Sequence, residues 1–166
     1  MQLRLATPDD AAAIATIYNQ GIEDRVATFE TRLRTPQEIE QWFDGVHPII
    51  ILETDEGQVI AFASTSVYRS RPCYAGIAEF SVYVERAWRG RGAGRQALQG
   101  LLQEVERAGF WKLVSRVFVE NTASRALLRS QGFREVGIYE KHAQLDGVWR
   151  DVVIVERLLP VNVHSE

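Results

Sequence analysis

The sequence predicts one α/β domain built on a mixed sheet, with its elements in the order β-α-α-β-β-β-α-β-α-β-β. Three observations carry this. Residues Ile77-Ala-Glu-Phe-Ser-Val-Tyr-Val84 alternate as a strand does. After them Ala97, Leu98, Leu101, Leu102 and Val105 recur at helical spacing. Two hairpin signals stand on either side, Asp55-Glu-Gly-Gln58 between apolar runs and Leu145-Asp-Gly147 between the last two.

Taken in order, residues 2–6 alternate like a short strand. Thr7-Pro8-Asp9-Asp10 then reads as a helix start: threonine caps, proline suits the first turn, and the acids favour the dipole. Ile14, Ile17 and Tyr18 mark that helix's buried face, and Gly21 is expected to end it. Thr35-Pro-Gln-Glu38 has the spacing of a capping box, with Ile39, Trp42 and Phe43 on one face behind it. Strands follow at 48–54, 59–67 and 77–84, a helix at 95–108, a strand at 112–120 and a short helix at 122–130. Strands near 133–141 and 148–158 finish the domain at about residue 160, and 161–166 is expected to be a loose tail. No repeat, low-complexity stretch or linker interrupts this order.

Composition excludes several classes. The chain has 166 residues, 46% apolar and 25% charged, enough for one domain with a sizeable core. Its net charge of −3 argues against nucleic acid or a membrane surface as the main partner. No leader or membrane span is visible, and the single cysteine, Cys73, fits a reducing compartment, so a cytoplasmic protein is expected. Cys73 is expected to be a small half-buried residue, and His47, His142 and His164 show no metal spacing.

The basic residues are unevenly spread, with Arg86, Arg89, Arg91 and Arg95 clustered. Three of these arginines, in Arg89-Gly90-Arg91-Gly92-Ala93-Gly94-Arg95, bracket three glycines at the point where the 77–84 strand hands over to a helix. A helix start has unpaired N–H groups and the positive end of the dipole. Glycines let a phosphate approach those groups, and arginines add charge, so the loop reads as a pyrophosphate seat. It is not a Walker loop, lacking Gly-Lys-Ser/Thr, and the even spacing of its glycines fails the dinucleotide fingerprint. From the residues alone, a glycine turn with solvated arginines remains the alternative.

The frame around the loop is more specific. Arg89-x-x-Gly92-x-Gly94 between a strand and a helix resembles the acetyl-CoA motif of the GCN5-related N-acetyltransferases (GNAT). Val119-Glu-Asn-Thr-Ala-Ser-Arg-Ala-Leu-Leu-Arg-Ser-Gln-Gly-Phe133 resembles that family's Asn-x-x-(Ala/Ser) helix ending in Gly-Phe. The resemblance covers nearly the whole chain. It implies that the coenzyme's arm pairs with Val82, Tyr83 and Val84, and that residues 89–95 hold its pyrophosphate. It further implies that Asn121 and Ser124 lie beside the pantetheine, though a helix-capping role for Asn121 stands level with this.

Within the 77–84 strand, Ala78, Phe80, Val82 and Val84 share one face, which belongs to the core. Glu79, Ser81 and Tyr83 share the other. An ammonium has no lone pair, so an amine must lose a proton before or as it attacks a thioester, and a carboxylate in a cleft is a suitable base. Glu79 is the candidate; from the residues alone, a solvated carboxylate on an open sheet face is equally consistent. Ala78-Glu79-x-Ser81-Val82-Tyr83-Val84, with Arg71 eight residues ahead of Glu79 and Tyr74 between them, resembles the phosphinothricin and arsinothricin N-acetyltransferases. Ile17-Tyr18-Asn19 and Ala27-Thr28-Phe29 also match that group. The resemblance implies an anion clamp at Arg71, with Arg69 second, walls from Phe29 and Tyr74, and Ser81 facing substrate. An ordinary basic loop is the alternative for Arg69-Ser-Arg71.

The chain departs from those relatives at Leu128, where many have a tyrosine or histidine placed to protonate the leaving thiolate. Trp149 is expected to pack, and Asp151 has no evident role. The resemblance thus implies acetyl-CoA as co-substrate, no metal, and acetylation of the α-amino group of small toxic amino acids in a ternary complex. N-termini of proteins, other amines such as methionine sulfoximine, or CoA sensing without turnover are the rival expectations. A homodimer is expected by resemblance alone.

Overall fold

The computed structural model describes residues 1–163. Its elements are β1 (Gln2–Leu5), α1 (Ala11–Asp24), α2 (Pro36–Glu40), β2 (Ile49–Glu53), β3 (Val59–Val67), β4 (Ile77–Val84), α3 (Ala93–Arg107), β5 (Lys112–Phe118), α4 (Thr122–Ser130), β6 (Arg134–Leu145) and β7 (Val148–Leu158). The expected order is the observed one. The capping box at Thr35 is present, its hydroxyl accepting from the Glu38 N–H.

The seven strands form one sheet in the order β1-β2-β3-β4-β5-β7-β6, antiparallel except between β4 and β5. α1 and α2 cover one face, where Ile14, Ile17 and Ile39 pack on Ile51, Phe62 and Tyr83. α3 and α4 cover the other, where Leu98, Leu101 and Leu128 pack on Ile50, Ile60, Phe80 and Leu113. The central strands are therefore buried on both sides, and Ile49 to Leu52 reads as a continuous apolar run for that reason.

β4 and β5 pair only at Ile77–Glu79 against Lys112–Val114. Beyond that point each follows its outer neighbour: β4 stays with β3 as far as Val84 opposite Ala61, and β5 stays with β7 as far as Phe118 opposite Val152. A fork opens between them. Ser115 Oγ donates to the Phe80 carbonyl at 2.9 Å and closes its narrow end. By alternation, the backbone groups of Val82 and Val84 then face the gap; the Arg89 guanidinium lies 3.5 Å from the Val84 carbonyl.

Four expectations need correction. Gly21 does not end α1, which runs on to Asp24 and stops at Arg25 in a left-handed conformation (φ 57°). The glycine is there because a Cβ would stand 2.6 Å from the Tyr83 ring. α3 begins at Ala93 rather than 95, since Gly92 already serves as its N-cap. β6 runs to Leu145, carried past 141 by a bulge at 140–142. The tail is not loose at Asn162, whose amide donates to the Glu106 and Phe110 carbonyls at 2.7 and 2.8 Å; His164 lies outside the described residues. No helix among the described residues is long and apolar enough to cross a membrane.

Candidate active site

The loop before α3 has the backbone that the sequence implies. Gly90 and Gly92 both lie at positive φ (75° and 85°), a region that only glycine enters at no steric cost. The N–H groups of Ala93, Gly94 and Arg95 open the first turn of α3 and have no carbonyl behind them in the helix. Gly94 faces Val84 and Leu127, with room for a Cβ at ordinary contact distance. The arginines divide. Arg91 stacks over Trp88 at 4.3 Å, and Arg95 is exposed. Arg89 does not stand free as a phosphate ligand: with Arg86 it binds Asp24 at the end of α1, at 2.7 and 3.0 Å. Those two guanidinium groups hold the Asp24 carboxyl below the usual carboxylate range.

A channel of about 70 Å³ lies in the fork, lined by Val82, Asn121, Ser124, Leu127 and Leu128 among others. Asn121 is the N-cap of α4: its side-chain oxygen accepts from the Ser124 N–H at 3.1 Å, while its amide lies 3.4 Å from the Val26 carbonyl. Leu128 is buried in the core beneath the channel, so no proton donor stands at that position.

Tyr83 is not on an open polar face. Its ring is buried, stacked on Phe62 at 5.4 Å and edge-on to Tyr18 at 5.0 Å, and burial pushes its phenol well above the usual range. Only its backbone borders the channel side of the strand. α1 covers the sheet at this point, so the exposed part of the face shrinks to Glu79 and Ser81.

The channel opens at Phe80, Ser81, Ser115 and Arg116 into a cleft of about 500 Å³. One wall is Phe29, edge-on to Phe118 at 5.0 Å. Glu79 lies in the floor, and its carboxylate accepts from Arg116 Nη2 at 3.1 Å. Arg116 Nη1 is 3.4 Å from His142 Nε2. Across the cleft Glu30 accepts from the Tyr18 hydroxyl at 2.6 Å and pairs with Arg34. Burial first, and Glu30 second, raise the Tyr18 phenol above its ordinary value.

Arg69 and Tyr74 line a second depression of about 350 Å³ on the far side of Glu79, which also reaches Arg116 and His142. Arg71 does not line the space in front of Glu79. It sits in a neighbouring open hollow with Tyr68, Arg69, Ser70 and Tyr74, held there by the turn at Pro72–Tyr74. Cys73, in the same turn, is exposed rather than half-buried. Among the described residues no group of three or more His, Cys, Asp or Glu could hold a metal ion.

Sequence reasoning missed Arg116 and His142. Arg116 is the one charged side chain in the run Leu113–Val119, a signal that was available. His142 carried none: three residues, 140–142, bulge opposite Asp151, whose carboxylate accepts from the Lys141 N–H at 2.7 Å and holds Lys141 at φ 47°. That clamp is the role of Asp151, and it turns His142 into the cleft.

A sheet forked beside a glycine-lined helix start, with the fork opening on a carboxylate-bearing cleft, is the architecture of a coenzyme A-dependent acyltransferase. Residues 14–133 match the model of the acetyltransferase (GNAT) family, and the chain belongs to that family. It is 35% identical over 162 residues to YwnH of Bacillus subtilis (strain 168), covering 96% of this chain and 99% of that one. It is 30% identical over 161 residues to the L-methionine sulfoximine/L-methionine sulfone acetyltransferase of Pseudomonas paraeruginosa (93% and 92%). Among solved structures, the GNAT superfamily phosphinothricin acetyltransferase of Sinorhizobium meliloti, in complex with acetyl-CoA, superposes with a TM-score of 0.91 at 27% identity. That match covers 99% of this chain and 91% of that one.

Proposed function

We propose that this chain transfers the acetyl group of acetyl-CoA to the α-amino group of small amino acids with a second polar head, phosphinothricin or arsinothricin first among them. The observation that carries this is the junction at Ser81 and Ser115, where the fork channel meets a cleft floored by Glu79. The relatives named for phosphinothricin and methionine sulfoximine support the substrate class.

In this reading the α3 amides, the Gly90–Gly92 turn, Arg91 and Arg95 receive the pyrophosphate. The pantetheine arm lies along Val82–Val84, with Asn121 and Ser124 beside it. The thioester carbonyl then sits at the mouth of the cleft. Glu79 takes a proton from the ammonium, directly or through a water, and the freed lone pair attacks. As the C–N bond forms, strand N–H groups at the fork stabilise the oxyanion. The C–S bond then breaks, the sulfur leaves as thiolate, and the second proton of the new amide nitrogen passes to that thiolate or to water. A thiol of this kind has a pKa of about 8.5, so departure without an acid at Leu128 carries little penalty. Arg69 receives the tetrahedral head, with Arg71 reaching it from the neighbouring hollow and Phe29 and Tyr74 as walls. Acetylation removes the amine's charge, so a target that requires the ammonium no longer recognises the compound; detoxification follows.

We place the active species as a homodimer. Val136, Ile138, Tyr139, Val148 and Trp149 stand exposed on the terminal strands β6 and β7. Light scattering at the elution peak checks this: a monomer mass sinks it.

The reaction is tested by thiol release from acetyl-CoA with phosphinothricin, arsinothricin, methionine sulfoximine, glutamate and an N-terminal peptide, each alone. Saturable turnover confined to the tetrahedral-headed amino acids is expected. Turnover with the peptide only would move the protein to the N-terminal acetyltransferases.

A further inference from the structure

We infer that Arg116 is the receptor for the α-carboxylate of the acceptor amino acid, and that the Glu79–Arg116 pair marks the seat of its zwitterion. This rests on the amino-acid reading above. The pair joins β4 to β5 at the fork, with 3.1 Å between Glu79 Oε1 and Arg116 Nη2. An α-amino acid carries its ammonium and carboxylate on one carbon, separated by about a hydrogen-bond length. Placed against the pair with its charges reversed, it exchanges one ion pair for two. The ammonium meets Glu79, the group that takes its proton, and the carboxylate meets the guanidinium fork, which can hold it through two parallel N–H donors.

Three observations favour Arg116 over its neighbours. Several nearby cations are committed elsewhere, Lys112 and Arg134 both to Glu156, and Arg34 to Glu30 and Glu38, whereas Arg116 has Glu79 itself as its partner. Arg116 borders the cleft, the depression with Arg69 and Tyr74, and the fork channel alike. A carboxylate held there leaves the amine at the channel mouth and sends the side chain toward Arg69. Finally, the side chains of Glu79 and Arg116 remain 35% and 49% exposed, so a ligand can reach both. A pair this open contributes little to folding, so stapling the strands is a poor reason for it. His142 Nε2, 3.4 Å from Nη1, steadies the guanidinium from β6.

The test compares methionine sulfoximine and phosphinothricin with their α-carboxamides, for wild type, Arg116→Gln and Arg116→Lys, with thermal unfolding measured alongside. Wild type is expected to prefer the acids. Arg116→Gln is expected to lower kcat/KM for the acids about 10- to 100-fold more than for the amides, chiefly through KM. Its melting temperature should stay put, and Arg116→Lys should recover part of the preference. Equal losses on acid and amide in Arg116→Gln, or a wild type that does not discriminate, overturn the assignment while leaving amino-acid acetylation in place. A wild type that acetylates no free amino acid overturns both.

Discussion

Gly21 lies against the ring of Tyr83, so closely that a Cβ at position 21 would stand 2.6 Å from Cε1 and 2.8 Å from Cδ1. The ring is held from the other sides by Phe62 and Tyr18. α1 is thereby seated directly on β4. Because β4 alternates, fixing Tyr83 to one face also fixes Val82 and Val84 to the other, with their backbone groups toward the fork.

Gly21→Ala should destabilise the protein. Alanine is favoured over glycine inside a helix by about 1 kcal/mol. Crowding a packed ring costs about 1–3 kcal/mol, and this ring is buried among aromatic neighbours and has nowhere to turn. A net loss of about 1 kcal/mol is expected, read as a lower urea midpoint at unchanged slope. A raised midpoint would show that the ring yields.

Glu79→Gln keeps shape and hydrogen bonding while removing the base. Turnover should fall by about 10²- to 10⁴-fold, with acetyl-CoA affinity by calorimetry unaltered. Undiminished turnover would reassign the proton to another group or to bulk water.

Gly92→Ala tests the seat of the pyrophosphate. Nothing crowds a Cβ there, so the cost is the left-handed backbone alone, about 1–2 kcal/mol. If the loop must hold that conformation to present its amides, KM for acetyl-CoA should rise about tenfold while KM for the amine stays near its original value. A change confined to the amine would detach the loop from the coenzyme.

Acid stability should depend on Glu135, which Arg125 holds at a pKa of about 2 while the same arginine reaches the Val119 carbonyl. The folded value lies below the unfolded value of about 4.3. The contribution is therefore complete above that pH and is lost as the pH falls through the folded value. Glu135→Gln should be the less stable protein at pH 7, and the gap should close between about pH 4 and 2. Parallel urea titrations across that window decide it; a gap that does not change with pH refutes the role.

Much of this is legible in the sequence. The order of elements followed from periodicity and from caps such as Thr35–Glu38, which are local chemistry. The loop at 89–95 was legible because glycines and a helix start announce themselves. The expectations that failed were those in which a residue serves a distant partner. Gly21 looked like a stop because the Tyr83 ring above it is invisible along the chain. The pairing of Arg89 with Asp24, at the far end of α1, was equally invisible along the chain. Trp149 was expected to pack, yet it is about half exposed near the start of β7, the strand next to the sheet edge.

The sequence by itself determined the strands, the helices, the glycine turn and the carboxylate at Glu79, because each depends on neighbours within a few residues. The tertiary structure alone decided what stands beside that carboxylate. Arg116 reaches Glu79 only because β4 and β5 pair for three residues and then part, and His142 enters the cleft only through a bulge clamped from β7. Such contacts are set by sheet register and strand divergence, which are properties of the assembled fold and not of any one segment.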